Sequence, residues 1–339
     1  MSEIDELLDA ARGHRERGEP VALATVVAVR GSSYRRPGAR LLVPASGVSV
    51  GLISGGCLED EAARLARKAL EIDAPVLVTI DHSAEGDELW GMGLGCRGVI
   101  DLLAEPPAMA AETIDALVAA REEGRASYLL TGLDGERRRL TAAEAEALGE
   151  QGVMAAAHGR PTVIGDSILD PILPPLRLVI CGAGPDAAPL AAAGARQGWR
   201  VDIVDPRRSF LHPERFPDAR LLDAQPAEAA DATGADEWTA VVIMSHDYLR
   251  DGAFLAGFLG RGVTYLGLLG PRDRTDRLLG ELSSTVDPAD EAVLHAPAGL
   301  DIGADGSEQV ATAIVAEILA VLHGRSGVPL RERPGPIHG

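Results

Sequence analysis

The most chemically specific pattern in this sequence is a glycine turn followed by an acid. After the run Leu176-Arg-Leu-Val-Ile-Cys181 comes Gly182-Ala183-Gly184-Pro185-Asp186-Ala187, a G-x-G-x-x-A turn, and Asp205 stands 23 residues after Gly182. Glycines permit a tight turn and close approach of a phosphate, a helix start offers amides to an anion, and the acid accepts hydrogen bonds from ribose hydroxyls. Gly182, Gly184 and Asp205 are therefore candidate nucleotide-binding residues. Asp186 sits where it would repel a phosphate, whereas Arg207 and Arg208 are placed to accept a 2′-phosphate. Fold does not fix ligand, so a Rossmann-like domain without a bound nucleotide stays open.

Further polar loops follow the ends of expected strands: Ser245-His246-Asp247, the stretch 267–272 ending in Arg272, and the stretch from His295 through Asp301 to Gly303. In a parallel sheet the carboxyl ends share one edge, so His246, Arg272, His295 and Asp301 can converge beside the glycine turn. Each also has a plainer account. His246 with Asp247 can cap a helix, Arg272 can be a solvated helix start, and Asp301 can fix a turn.

From Pro20 to Leu58 there are 39 residues without an acid, although 51 acids in 339 residues would put about six there. Arg30, Arg35, Arg36 and Arg40 fall in that window. The loop from Gly31 to Gly38, with Ser32, Ser33, Arg35 and Arg36, suits a phosphate or oxo group. The alternative is that these arginines pair with acids elsewhere. Cys57 lies at an expected helix start, where a thiolate is favoured, with Glu59 close behind. Cys96 lies among the four glycines of 91–98, beside Arg97. Two cysteines in two loops can ligate a soft metal or do redox chemistry, or they are small packing residues. Cys181, inside a strand, reads as core.

The elements that must position these groups divide into two patterns. Strands at 21–30, 40–45, 48–53, 75–80 and 97–103 with a helix at 58–72 make an N-terminal mixed α/β domain over 1–175. Its connecting segment, about 105–175, holds a helix at 108–121, a hairpin at 126–139 and a helix from Thr141. Within it the Arg137–Arg139 run is expected to face solvent. Pro171-Ile-Leu-Pro-Pro175 reads as an extended linker. From 176 to 325 strands and helices alternate, which predicts a Rossmann-like doubly wound parallel sheet. A tail over 326–339, rich in Pro and Gly, is expected to be loose.

Composition narrows the function. With 46% apolar and 24% charged residues the chain should fold. Its net charge of −19 opposes nucleic acid and anionic membrane as partners. Three cysteines, an odd number without metal-ligand spacing, argue against a disulfide framework and a zinc finger. The acidic start and the lack of any long apolar run predict a cytoplasmic protein.

Several blocks in order, G-S-S-Y-R-R-P-G-A-R, S-G-G-C-L-E, G-L-G-C, C-G-A-G, S-H-D, G-L-L-G-P-R and H-A-P-A-G-L-D-I-G-A, resemble the xanthine dehydrogenase accessory and carbon monoxide dehydrogenase maturation family, of XdhC/CoxI type. The resemblance implies a maturation factor, not necessarily an enzyme. Such a factor binds molybdenum cofactor, as molybdopterin or a dinucleotide form, and holds it during sulfuration. It then delivers the cofactor to a molybdenum hydroxylase client. A cysteine desulfurase and a homo-oligomeric assembly go with that reading, as does molybdenum near Cys57 and Cys96. The rivals are an NAD(P)-dependent oxidoreductase using His246 as acid or base, and a scaffold that docks a partner.

Overall fold

A computed structural model describes residues 2–31, 34–56, 58–81, 98–282 and 292–333. The chain divides into two compact units, 3–174 and 175–332.

The first unit opens with a helix absent from the expected elements, α1 (Glu3–Glu16), which buries Leu7, Leu8 and Ala11. Strands β1 (Val21–Gly31), β2 (Arg40–Pro44), β3 (Val50–Gly51), β4 (Val76–Asp81) and β5 (Gly98–Glu105) form one antiparallel sheet in the order β3-β2-β1-β5-β4. Every residue from Ala22 to Val27 is buried because both faces of β1 are covered. On one face, Ala62, Leu65, Ala66 and Ala69 of α2 (Glu59–Ile72) pack on Ala22, Ala24 and Val26. On the other, Leu7 and Leu8 of α1 and Ala110 and Ile114 of α3 (Pro107–Glu123) pack on Leu23 and Leu42. A strand covered on both faces shows a continuous apolar run instead of alternation.

The connecting segment forms a sheet of its own. Strands β6 (Ser127–Gly132), β7 (Arg137–Leu140), β8 (Thr162–Ile164) and β9 (Ser167–Ile172) pair antiparallel in the order β7-β6-β9-β8. Short helices α4 (Ala142–Glu146) and α5 (Glu150–His158) lie between β7 and β8; Thr141 and Glu144 cap α4 reciprocally. The stretch expected as a linker from Pro171 thus begins inside a strand, where Pro171 pairs with Tyr128. On its other side β8 pairs only as far as Leu169. Pro171 therefore lies at an edge, where a missing donor is tolerated.

The second unit is a parallel sheet of β10 (Arg177–Cys181), β11 (Arg200–Val204), β12 (Ala219–Leu222), β13 (Thr239–Ile243), β14 (Tyr265–Leu268) and β15 (Leu294–His295), in the order β12-β11-β10-β13-β14-β15. This is the 3-2-1-4-5-6 order of the Rossmann fold. Alternate residues of β10 feed opposite cores. Leu178 and Ile180 pack with α6 (Ala187–Arg196) and α10 (Ser307–Leu322). Val179 and Cys181 pack with α8 (Tyr248–Phe258) and α9 (Arg272–Leu282). Helix α7 (Ala229–Thr233) joins the second core. Beyond α10, Gly327 lies against Leu300 and one 3-10 turn spans Leu330–Glu332. No helix among the described residues is long and apolar enough to cross a membrane.

Candidate functional site

The Rossmann sheet reverses strand order between β10 and β13, and the crevice outside those two strand ends is where such sheets take ligands. Gly182 is in the left-handed region at φ 114°, and a Cβ there would lie 2.6 Å from Ser245 Cα. Glycine is required because the backbone leaving β13 passes directly against it.

The acid expected to meet a ribose is already bonded. Asp205 is buried; its Oδ2 accepts the Ala183 amide at 2.8 Å and Arg207 Nη2 at 2.7 Å, and its Oδ1 accepts the Arg207 amide and Nε at 2.8 and 2.9 Å. Burial opposes its ionisation, but the bonds from Arg207 and Ala183 outweigh that and hold the carboxyl below its ordinary range. Both carboxylate oxygens of Asp205, expected to meet a ribose, thus accept two bonds each from within the chain. Arg207 is turned inward as well, with its guanidinium 4.0 Å from the Phe210 ring centroid, while Arg208 stays exposed.

Asp186 stands at the start of α6 without capping it; its Oδ2 lies 2.6 Å from His246 Nε2. The pair spans the switch point, and both side chains are partly exposed. His246 has φ 58°, one of two non-glycine residues in the left-handed region among the described residues. The cap of α8 belongs to Asp247, which accepts the Arg250 amide at 3.0 Å. Arg272 is exposed at the start of α9, whereas Arg274 turns inward to Asp251 at 2.5 Å. Asp251, fully buried, also accepts the Ser245 hydroxyl at 2.5 Å and amide at 3.1 Å. Sequence reading missed Asp251. Its signal was a charge on the stripe it shares with Phe254, Leu255 and Phe258.

His295 is held in the sheet, stacked on Tyr265 with ring centroids 4.5 Å apart and Nδ1 3.5 Å from Glu317 Oε1. Glu317 Oε2 accepts the Tyr265 hydroxyl at 2.6 Å and the Gly299 amide at 2.8 Å. This carboxylate of α10, also missed, positions the loop that leads to the exposed Asp301.

In the first unit Arg30, Arg35 and Arg40 of the acid-poor window have acid partners. Arg30 forms a two-pronged pair with Asp101 at 2.7 and 3.0 Å, and Arg35 reaches Glu3 at 2.9 Å. Arg40, buried, pairs with Asp170 at 2.9 and 2.8 Å and donates to Thr25. Acids of α1, β5 and β9 thus pair with Arg35, Arg30 and Arg40, and Arg36 lies partly buried next to Arg35. Tyr34 in the same loop is 60% exposed, with its ring beside Gly55. Glu59 holds the turn before α2. It accepts the Ser54 amide and hydroxyl and the Leu58 amide, so its carboxylate is bonded within the chain. Ser32, Ser33, Cys57 and Cys96 lie outside the described residues. Cys181 is fully buried, and burial pushes its thiol up.

Arg137 does not face solvent. Its guanidinium is bonded to Glu105, Thr131, Thr113 and the Met109 carbonyl, while Arg138 and Arg139 are exposed. Among the described residues, no three His, Cys, Asp or Glu side chains gather as a metal site.

Residues 178–318 match the family model described as the XdhC Rossmann domain, and residues 14–81 match that of the XdhC and CoxI family. The chain is 30% identical over 332 residues to a probable xanthine dehydrogenase subunit of Bacillus subtilis, covering 94% of this chain and 97% of that one. It is 26% identical over 308 residues to the molybdenum cofactor insertion chaperone PaoD of Escherichia coli, covering 90% and 84%. A crystal structure described as a xanthine dehydrogenase from Bacillus halodurans superposes with a TM-score of 0.75 at 29% identity, covering 98% of each chain.

Proposed function

The chain belongs to the XdhC and CoxI family, and we propose that it is a maturation factor that binds molybdenum cofactor, holds it during sulfuration and delivers it to a molybdenum hydroxylase in the cytoplasm. The observation that carries this reading is similarity to a molybdenum cofactor insertion chaperone over 90% of the chain. The state of the glycine turn supports a carrier over a nicotinamide enzyme. With Asp205 closed by Ala183 and Arg207, the usual ribose acceptor is occupied. The soft ligands for molybdenum in this reading are the thiolates of Cys57 and Cys96. A cysteine desulfurase is the sulfur donor in the same reading.

The test is purification of the full chain from molybdate-fed cells, followed by molybdenum assay and fluorescence of released pterin. Both should accompany the wild-type protein, and Cys57→Ala should lose most of the metal while remaining folded. Absence of molybdenum and pterin, or steady-state oxidation of a nicotinamide cofactor that depends on His246, would overturn the carrier reading.

A further inference from the structure

We propose that the switch-point crevice of the Rossmann unit reads the donor edge of a 2-amino-4-oxo heterocycle, as carried by pterins and guanine, with Asp186 as the acceptor, and that it does not cradle a dinucleotide pyrophosphate. The choice of a pterin among these rings rests on the function proposed above. The edge preference rests on the crevice alone.

A pyrophosphate needs free amides and positive potential. Three amides of this turn are spent. The Gly182 amide donates to the Val204 carbonyl at 2.8 Å, the Ala183 amide to Asp205 at 2.8 Å, and the Ala187 amide to the Gly184 carbonyl at 3.2 Å. Pro185 has no amide hydrogen. Three nearby guanidinium groups are turned inward, Arg207 to Asp205, Arg274 to Asp251, and Arg215 to the Gly184 carbonyl at 2.8 Å, while Arg208 and Arg272 are exposed. What the turn presents is the carboxylate of Asp186, which leaves its own helix uncapped.

A carboxylate at the mouth of a crevice selects parallel N–H donors. The ring N–H and exocyclic amine of a 2-amino-4-oxo pyrimidine ring offer such a fork, as a guanidinium does to a carboxylate. His246 meets that carboxylate with one donor at 2.6 Å. Its ring comes from a left-handed backbone on the opposite strand end, and it is half exposed, so an incoming ring can displace it.

The experiment is titration of the full chain with free pterin, guanosine and NADH, using pterin fluorescence and calorimetry. Variants are Asp186→Asn, which preserves shape, and His246→Ala, each checked for folding by circular dichroism. The expected results are saturable pterin binding, a loss of roughly tenfold or more in Asp186→Asn, and binding by His246→Ala as tight as wild type or tighter. Guanosine binding that also depends on Asp186 supports the edge reading, and the tighter of the two rings identifies the source. Pterin binding unchanged in Asp186→Asn, or NADH binding tighter than pterin in the wild type, overturns the proposal. If wild type carries molybdenum while Asp186→Asn binds pterin normally, this inference fails and the maturation reading stands. If Asp186-dependent pterin binding is found in a protein that never carries molybdenum, the reverse holds.

Discussion

The Glu59 carboxylate accepts the Ser54 amide at 2.9 Å through one oxygen and the Ser54 hydroxyl at 2.5 Å through the other. The same hydroxyl oxygen accepts the amides of Gly56 and Leu58 at 3.2 and 3.0 Å. One side chain of the first helical turn thus holds the backbone on either side of Cys57.

Glu59→Gln should therefore destabilise the first unit by about 1–3 kcal/mol, since an amide nitrogen cannot accept the bond it inherits. Burial opposes the ionisation of Glu59, but its hydrogen bonds prevail and its carboxyl is held below the ordinary value of 4.5. A lowered acid contributes stability above its unfolded value and loses it as pH falls through the folded value. The gap between wild type and Glu59→Gln in denaturant midpoint should be full at pH 7 and shrink below about 4.5. A gap constant down to pH 3 would refute the role given to the carboxylate.

Arg40 and Asp170 form a buried pair between the two sheets of the first unit. Removing one partner leaves an uncompensated buried charge, and Arg40→Ala or Asp170→Ala should each cost about 3–5 kcal/mol. Replacing both with apolar residues of similar volume should come much closer to wild type. Hydrogen exchange at β1 and β9 amides reads this directly; a double variant as unstable as the sum of the singles would contradict it.

Arg137 and Arg139, two residues apart on β7, should behave oppositely. Arg139→Ala should change stability by no more than about 0.5 kcal/mol. Arg137→Ala strands Glu105, whose Oε2 is buried without a hydrogen-bond partner, and should cost about 3–5 kcal/mol. Burial pushes the Glu105 carboxyl up, and Arg137 opposes it. An acid with a raised folded value contributes less as pH rises through that value, so the Arg137→Ala deficit should be larger at pH 8 than at pH 4.5. Denaturant unfolding of both variants at those two pH values is the check.

Cys181 should act as packing alone. In a Cys57→Ser/Cys96→Ser background its thiol should resist a disulfide reagent until the protein is unfolded, because it is fully buried. Cys181→Ala should cost about 1–2 kcal/mol. Rapid labelling of the native protein would show that β10 is open.

The Rossmann unit was legible because each of its elements carries its own local signal: β10 is apolar from Leu178 to Cys181, the glycine turn follows it, and helices alternate with strands. Helix α1 was equally available from Ile4, Leu7, Leu8 and Ala11 at helical spacing, but its acids drew the reading toward targeting signals instead. Strand β9 was hidden by Pro171, since a proline excludes a strand only where its donor is needed, and pairing partners are not visible locally. The candidate site suffered from the same limit. Which arginines stay available to a ligand depends on acids brought from far along the chain: Glu3 to Arg35, Asp101 to Arg30 and Asp170 to Arg40. An acid-poor window shows where cations lie, and only the tertiary structure shows whether they are already paired.

The pairing of Arg40 with Asp170 also sets a timetable for the nascent chain. The two residues are 130 positions apart, and at about 5–20 residues per second the ribosome takes roughly 7 to 26 seconds to travel from one to the other. Throughout that interval β1 and β2 exist while the guanidinium destined for their interior lacks its counter-charge. The hairpin must keep that end hydrated, with the apolar surface around it open, until β9 is made. The segment that ends in β9 is therefore needed to complete the buried surroundings of Arg40, instead of being a tether between finished domains.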